Sequence, residues 1–310
     1  MHPFAEKSED SVAALGEEKL IAAIRRWLGN VSPRAPFGIG DDCAVLPPAR
    51  SRQLITVDPV IFNRHFDETI PPRAIGAKLL KRNLSDLAAM GGRPTAAVLA
   101  LILDPRVSAV WLERFYRGLA ACARTHRVQI VGGDIAQGDG TVAASLTLLG
   151  EPTHRRVLTR TGARVGDWIY VTGMLGDSVA SGHHYSFKPR LPEGAWLARQ
   201  SAVLSMMDVS DGLAKDLHAL TPRGATPALE AESIPRRGTV TVETALTEGE
   251  DYELVFTVAA KTDRAAFAHA WHRVFPKTRL SCIGSFVPSG KKNAPALDLG
   301  AFHGYEHLKR

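Results

Sequence analysis

Apolar residues in the first half of the chain recur at helical spacing in some stretches and form compact strand-like runs in others. Helices are predicted at 17–28, 71–92 and 111–126. Prolines open the second of these helices, and Gly91 and Gly92 end it. Strands are predicted within 53–62 and at 95–104, 128–134 and 141–151. We expect the first of these strands to end at its proline and the second to be buried.

The second half repeats this alternation after a polar, turn-rich stretch at 150–167. Strands are predicted at 167–173, 252–258 and 279–287, and helices at 210–220 and 264–275. A glycine-bounded helix start is predicted at 175–182, followed by an irregular loop at 182–194. The pattern therefore predicts an α/β or α+β fold in two halves of similar size.

Composition and charge narrow the functional classes. A hydrophobic content of 45% and a charged content of 23% over 310 residues are typical of a soluble globular protein. The longest apolar run, 96–103, is too short to span a bilayer, so no membrane partner is expected. The first residues lack a signal-peptide layout, and we expect a cytoplasmic protein. The net charge is +6, but Lys and Arg are scattered, and nucleic acid is not an expected partner.

Three cysteines are isolated along the chain. Cys43, Cys122 and Cys282 form no CxxC pair, which disfavours a disulfide framework and a thiolate zinc site. We expect buried structural thiols.

Aspartates recur at the ends of predicted strands. Asp58, Asp134 and Asp208 each end such a strand, and Asp42 follows the glycine turn of GIGDDCAVL. Carboxylates at strand ends can converge on one edge of a sheet, where loops bring functional groups together. The structural alternative for each of them is a turn or helix-cap residue.

Asp86 is the most telling of the acidic residues. On an ideal helix it shares a face with Leu79 and Asn83, where a lone carboxylate is costly unless it is paired or binds a metal ion. Oxygen ligands without His or Cys partners indicate Mg²⁺, which also binds substrate phosphates. The glycine-rich stretch at 173–182 could cradle a phosphate at a helix N-terminus, or be an ordinary strand–helix turn.

Eight stretches, in this order, resemble the thiamine-monophosphate kinase family. They are GIGDDCAVL, DPVIFNRHF, NLSDLAAMGGRP, VGGD, RTGARVGDWIYVTGMLGDS, DVSDGLAKDL, EGEDYELVFT and GYEH. They cover nearly the whole chain, and NLSDLAAMG and GEDYEL are specific individually.

The resemblance implies a two-domain aminoimidazole ribonucleotide synthetase-like fold, in which N-terminal strands of two chains form a dimeric barrel. Residues 1–152 would be the ATP- and magnesium-binding and dimerisation domain, and residues 153–310 a C-terminal α/β domain. The implied reaction is ATP-dependent phosphorylation of thiamine monophosphate to thiamine diphosphate by direct, in-line, magnesium-assisted transfer in a homodimer.

The resemblance also implies three groups of site residues. Several Mg²⁺ ions would be held by Asp42, Thr56, Asp58, Asp86, Asp134, Asp208 and Asp211. The nucleotide would contact Gly133, Asp134, Arg160, Ser210 and Tyr116. Thiamine monophosphate would contact His65, Glu250 and Tyr305. No covalent or strongly basic catalytic residue is expected, because the acceptor phosphate is largely ionised near neutral pH.

Four of these residues have plain structural alternatives. His65 could be a structural histidine, Tyr305 could pack at the surface, and Arg160 could be a solvated arginine. Ser210 could be only the cap of the helix that follows it.

The chain departs from the family pattern around the acceptor. Asn63 replaces a glycine, although Asn tolerates the left-handed backbone of a turn, and Phe62 replaces what is often Glu or another small or polar residue. Glu248 replaces a glycine, 135–137 lacks the usual threonines and arginine, and 182–194 is short. A second interpretation is therefore a non-catalytic or substrate-shifted homologue that binds nucleotide or a protein partner.

Overall fold

A computed structural model describes residues 1–35, 37–39, 43–49, 52–290, 297 and 299–305. The predicted magnesium ligand Asp42 lies outside the described residues, as does its neighbour Asp41. The chain divides into two compact units. The first comprises Met1–Leu87 and Arg93–Glu151, and the second comprises Ala88–Gly92 and Pro152–Arg310.

The first unit is built on a mixed four-stranded sheet. Its helices are α1 (Val12–Leu15), α2 (Glu17–Leu28), α3 (Pro72–Ala89) and α4 (Ala109–His126). Its strands are β1 (Leu54–Ile61), β2 (Gly92–Leu103), β3 (Gln129–Gln137) and β4 (Val142–Pro152). The strand order is β1-β4-β2-β3, with β1 antiparallel to β4 and β2 parallel to β3.

The three helices predicted in this half are confirmed, and their apolar faces are buried. In α4 one face, formed by Leu112, Phe115, Leu119 and Cys122, is buried. Ser108 caps this helix by accepting a hydrogen bond from the Trp111 N–H at 3.3 Å.

Two strands extend past their predicted ends. β1 continues through Pro59 to Ile61, because an edge strand tolerates a residue without an N–H. β3 continues to Gln137, so Asp134 lies within a strand. The predictions that Asp58 and Asp134 end their strands are therefore wrong.

One face of this sheet is exposed although it is apolar. Ile55 is 69% exposed and Val57 is 60% exposed, and Ile61, Val98 and Ile102 are also exposed. We call these five side chains the open face. Because Val98 and Ile102 alternate with buried neighbours along β2, that strand is buried on one face only, contrary to expectation.

The second unit is built on an antiparallel five-stranded sheet. Its helices are α5 (His183–Ser186), α6 (Leu191–Arg199), α7 (Leu213–Leu220), α8 (Val242–Thr247) and α9 (Arg264–Val274). Its strands are β5 (Trp168–Thr172), β6 (Val203–Val209), β7 (Ala225–Leu229), β8 (Glu253–Val258) and β9 (Leu280–Pro288). The order is β6-β8-β5-β9-β7.

Both faces of the second sheet are covered. Ile169 and Val171 of β5 belong to one apolar cluster with Leu213 of α7. Tyr170, which points to the other face, belongs to a second cluster with Trp271 of α9. This two-sided burial explains why the strands of this unit are continuous apolar runs in the sequence.

Sequence reasoning was wrong about the segment between β5 and β6. Residues 175–182 form turns rather than a helix start, and α5 and the first turn of α6 lie within the predicted irregular loop 182–194. The strand β7 and the helix α8 were not predicted.

Burial differs among the cysteines. Cys122 is buried, and burial raises the pKa of its thiol to about 12. Cys43 is exposed and Cys282 is partly exposed, so the expectation of buried thiols is wrong for Cys43.

None of the helices in the described part of the chain has the length and hydropathy that a membrane span requires.

Two glycines let α3 and α4 pack at backbone contact. A Cβ on Gly76 would overlap the carbonyl oxygen of Phe115, and a Cβ on Gly118 would overlap that of Arg73. We predict that Gly118→Ala lowers the free energy of unfolding by about 2 kcal/mol and Tm by roughly 5 °C.

Thermal unfolding followed by circular dichroism measures this effect. The control is Ala121→Ser on the exposed side of α4, which should cost less than about 0.5 kcal/mol. Equal melting temperatures for Gly118→Ala and the control would contradict the close packing.

Candidate active-site residues

A cavity of about 120 Å³ in the first unit brings together three predicted nucleotide contacts. Tyr116 of α4 and Gly133 and Asp134 of β3 line it. Tyr116 is buried, and burial raises its pKa, so the phenol stays neutral at physiological pH. A Cβ on Gly133 would overlap the carbonyl oxygen of Leu99, so only glycine fits there.

Sequence reasoning missed the apolar wall of this cavity. Ile21, Ile24 and Leu28 of α2 line it together with Ile39 and Ile130. The helical spacing of the α2 residues was visible in the sequence, but nothing local connected that face with the strand more than a hundred residues later.

Three predicted magnesium ligands lie where α3 meets β1. The hydroxyl of Thr56 donates a hydrogen bond to Asp86 Oδ2. Asp58 Oδ1 lies 3.3 Å from a guanidinium nitrogen of Arg82, one helical turn before Asp86. Asp86 is half-buried beside fully buried Asn83, as the helical face predicted.

Asp134 lies on a different strand from Thr56 and Asp58, away from the contact of β1 with α3. β1 and β3 are the opposite edges of the sheet. Asp58 pairs with buried Leu146, whereas Asp134 pairs with exposed Ala100, which puts the two aspartates on opposite faces. Strand pairing therefore does not place Asp58 beside Asp134.

The acidic residues supply the kind of ligand atom that Mg²⁺ prefers, but the described side chains are not arranged as a group of three around one position. Thr56, Asp58 and Asp86 supply a hydroxyl and carboxylate oxygens, which are the ligands that Mg²⁺ prefers. Across the ranges that the structure describes, no group of three His, Cys, Asp or Glu side chains is arranged to hold a metal ion. Mg²⁺ commonly takes one or two carboxylates and fills its remaining positions with water and phosphate.

His65 lies in a compact turn after β1. Its Nδ1 accepts a hydrogen bond from the Ile61 N–H at 3.2 Å, and its carbonyl oxygen accepts one from buried Lys78 at 2.9 Å. Asn63 has a φ of 60°, so the expectation that Asn would tolerate the turn is confirmed. Phe62 packs edge-on against Phe4.

In the second unit, Asp216 fixes the turn that carries Ser210 and Asp211. Its Oδ2 accepts hydrogen bonds from the Ser210 N–H at 2.9 Å and the Asp211 N–H at 3.0 Å. Burial raises the pKa of Asp216 to about 7. The N-cap of α7 is Gly212, without a side-chain cap, so the alternative that Ser210 caps this helix is wrong.

Asp211 and Tyr305 are held together by Lys215. Lys215 Nζ lies 2.5 Å from Asp211 Oδ2 and donates to the Tyr305 carbonyl oxygen at 2.7 Å. The Tyr305 N–H in turn donates to the Asp211 carbonyl oxygen at 2.8 Å. Asp208 is buried within β6, and Arg160 is exposed between β4 and β5.

Two carboxylates of the acidic loop 248–253 bind the turn 174–182. Glu248 accepts hydrogen bonds from the N–H groups of Asp177 at 2.7 Å and Val179 at 3.0 Å. Asp251 accepts from the Gly176 N–H at 3.0 Å and the Ser178 hydroxyl at 2.5 Å. Because these backbone donors are already bonded to carboxylates of the protein, the structure favours an ordinary turn over a phosphate cradle at 173–182.

Glu250 lies between these anchoring carboxylates. Its N–H donates to the Ser210 carbonyl oxygen at 2.7 Å, which joins the acidic loop to the Ser210–Asp211 turn. Its Oε2 lies 3.0 Å from Nδ1 of His184, a contact that sequence reasoning missed. Glu253 is buried and accepts two hydrogen bonds from Arg190, at 2.6 and 2.7 Å.

Arg237 compensates the buried charge of Asp251. Its guanidinium lies 3.2 Å from Asp251 Oδ1 and also donates to the Met174 carbonyl oxygen at 2.7 Å. Burial nevertheless raises the pKa of Asp251 to about 7. A raised pKa means that the folded state holds its proton more tightly, so stability falls as pH rises towards that value.

We predict that Arg237→Met costs more stability at high pH than at low pH. Without the guanidinium the pKa of Asp251 rises further, so the variant loses about 3 kcal/mol near pH 8 and clearly less near pH 5.5. Denaturant unfolding at the two pH values measures the difference. Adding Asp251→Asn, which cannot ionise, should abolish it, and equal losses at both pH values would contradict the prediction.

Comparisons with known proteins extend these observations. Residues 40–151 match a family described as AIR synthase related protein, N-terminal domain. A thiamine-monophosphate kinase of Salmonella typhimurium is 35% identical over 275 residues, which cover 79% of this chain and 83% of that protein.

Solved structures give the same result. A thiamine-monophosphate kinase from Stenotrophomonas maltophilia K279a is similar with a TM-score of 0.72 at 30% identity, covering 92% of this chain and 95% of that one. AaThiL complexed with AMPPCP and TMP is similar with a TM-score of 0.64 at 29% identity, covering 96% and 98%. The predicted aminoimidazole ribonucleotide synthetase-like α/β fold is confirmed. The chain belongs to the thiamine-monophosphate kinase family.

Proposed function

We propose that this chain transfers the γ-phosphoryl group of ATP directly to thiamine monophosphate, giving thiamine diphosphate and ADP. The observation that carries the proposal furthest is the cavity of the first unit, which Tyr116, Gly133 and Asp134 line together. The AaThiL complex with AMPPCP and TMP, similar over 96% of this chain, supports both substrates.

The cavity has the chemistry of a nucleotide site. Its apolar walls, including Ile24 and the ring of Tyr116, suit a flat base, and Gly133 leaves the strand backbone uncovered beside it. Arg160 is an exposed cation that can pair with phosphate oxygens in a bidentate manner. The Ser210 hydroxyl is a second proposed phosphate contact, on a turn that Asp216 holds in place.

The proposed magnesium ligands are Asp42, Thr56, Asp58, Asp86, Asp134, Asp208 and Asp211. The contact of Thr56 with Asp86 joins a hydroxyl and a carboxylate, a pair that suits one Mg²⁺ together with phosphate and water oxygens. When bound, Mg²⁺ neutralises the phosphates and aligns them. Arg82 and Lys215 form ion pairs with Asp58 and Asp211.

On the acceptor side the proposed contacts are His65, Glu250 and Tyr305. The carboxylate of Glu250 complements the positive thiazolium ring of thiamine monophosphate, and the partly exposed ring of Tyr305 can pack on an aromatic ligand. The role of the protein in transfer is to hold two polyanions in line, since the acceptor phosphate needs no strong base.

We predict that the purified protein forms thiamine diphosphate from ATP and thiamine monophosphate only when Mg²⁺ is present. Asp86→Asn and Asp134→Asn should each lower kcat roughly 100-fold, because each removes a carboxylate proposed to hold the Mg²⁺ that offsets phosphate charge. The control is Asp139→Asn, an exposed aspartate near the end of β3, which should retain full activity. Product is quantified by chromatography.

Two outcomes would overturn parts of this proposal. Full activity of a combined Asp86→Asn and Asp134→Asn variant would exclude the magnesium assignment. Binding of magnesium-ATP by calorimetry without any product would favour the non-catalytic homologue, which the unusual Glu248 and the short stretch at 182–194 make a specific alternative.

We also propose that the enzyme is a cytoplasmic homodimer that associates through residues 1–152. The open face places five apolar side chains on one side of a sheet, a patch of the kind that marks protein–protein contacts. Association of two such faces would remove these side chains from water, which supports the barrel expected of the family. Residues 153–310 would be the C-terminal α/β domain of each subunit.

We predict that Val57→Asp shifts the protein from dimer to monomer. A carboxylate in the middle of the open face would have to be desolvated on association, which is unfavourable by several kcal/mol. Sedimentation velocity measures the mass. Val110→Asp, at an exposed position of α4 in the same unit, is the control and should stay dimeric, whereas a dimeric Val57→Asp would contradict this interface.

A further inference from the structure

Glu250 and Asp251 are adjacent acidic residues whose carboxylates are both bonded to the segment 178–184. Asp251 accepts a hydrogen bond from the Ser178 hydroxyl at 2.5 Å. The Ser178 carbonyl oxygen accepts one from the His184 N–H at 2.9 Å. His184 Nδ1 lies 3.0 Å from Glu250 Oε2, which closes a ring of four residues.

The two members of the His184–Glu250 contact differ in exposure. The His184 side chain is 8% exposed and the Glu250 side chain 23% exposed. The imidazole is therefore fixed inside the protein, packed edge-on against Tyr185, while part of the carboxylate is open to a ligand. An ionised Glu250 can only accept, so Nδ1 is the donor of this hydrogen bond.

The backbone around Glu250 adopts unfavourable dihedrals that surrounding contacts maintain. Glu250 has a φ of 63° and Tyr252 a φ of 53°, both in the left-handed region that non-glycine residues avoid. The Tyr252 N–H donates to the Val209 carbonyl oxygen at 2.8 Å, and Glu248 bonds to the turn 174–182. Such conformations persist where neighbouring contacts over-determine them, commonly at binding sites.

We propose that His184 is a positioning residue whose Nδ1–H holds the Glu250 carboxylate in the orientation that receives thiamine monophosphate. The inference rests on the proposed role of Glu250 in acceptor binding. The Tyr252 hydroxyl lies 3.4 Å from Oε1 of Glu250, and the shorter His184 contact at Oε2 restricts the carboxylate further, so less ordering remains when the ligand binds. Holding the carboxylate beforehand strengthens acceptor binding and leaves nucleotide binding unchanged.

The test compares His184→Ala with His184→Asn. The alanine variant loses the donor, and KM and Kd for thiamine monophosphate should rise about tenfold, as for loss of a hydrogen bond to a charged group. KM for ATP and kcat should stay within about twofold. Asn places an N–H at the bond separation of Nδ1 and should restore most of the affinity. His269→Ala, an exposed histidine of α9, is the matched control and should bind like the wild type.

A double-mutant cycle separates positioning from structural support. If His184 acts through Glu250, adding His184→Ala to Glu250→Ala should raise Kd for thiamine monophosphate no further. Additive losses, equal losses for both substrates, or an unchanged Kd in His184→Ala would overturn the inference while the wild-type enzyme remains active. A wild type that neither binds nor phosphorylates thiamine monophosphate would instead overturn the proposed function, and the inference with it.

Discussion

The second unit depends on buried carboxylates whose charge is compensated by donors of the protein itself. Asp251 is fully buried and relies on Arg237 and on donors of the turn 174–182, because an ionised group in a dry interior is costly without partners. Asp216 plays the same part for the turn before α7. These contacts fix the loops that present Asp211 and Glu250. Acidic residues therefore divide into those that hold the protein together and those proposed to contact a ligand.

In the first unit the two-residue period of a strand divides the functions. Along β1, Thr56 and Asp58 face α3, while Ile55 and Val57 point to the open face. One short strand therefore supplies proposed metal ligands on one side and a proposed subunit interface on the other. A shift of one residue in register would exchange the two sets, so the pairing of β1 with β4 is as important as the residues themselves.

The sequence predicted what local patterns control and failed where distant residues decide. Helices with regular apolar spacing, such as α2 and α4, were predicted correctly, since burial of one face requires that spacing. The stretch at 175–182 was predicted as a helix start, but it forms turns. Its amide groups donate to carboxylates some 70 residues away, which no local pattern shows. Residue types suited to Mg²⁺ could be recognised, and so could the need of the Asp86 carboxylate for a partner, which the Thr56 hydroxyl provides. The separation of Asp58 from Asp134 in the sheet could not be predicted, because it follows from strand order.

The contact of His184 with Glu250 spans 66 positions. The only local sign of it in the sequence was a pair of adjacent histidines in a short loop.

The central claim is a direct transfer between two substrates aligned by acidic residues, without a phosphorylated protein intermediate. It is tested most directly by the stereochemistry at phosphorus, using ATP that carries a chiral thiophosphoryl group and thiamine monophosphate as acceptor. One in-line displacement predicts inversion of configuration in the thiamine product. Retention would require two displacements through a covalent intermediate on the protein, and would contradict the account.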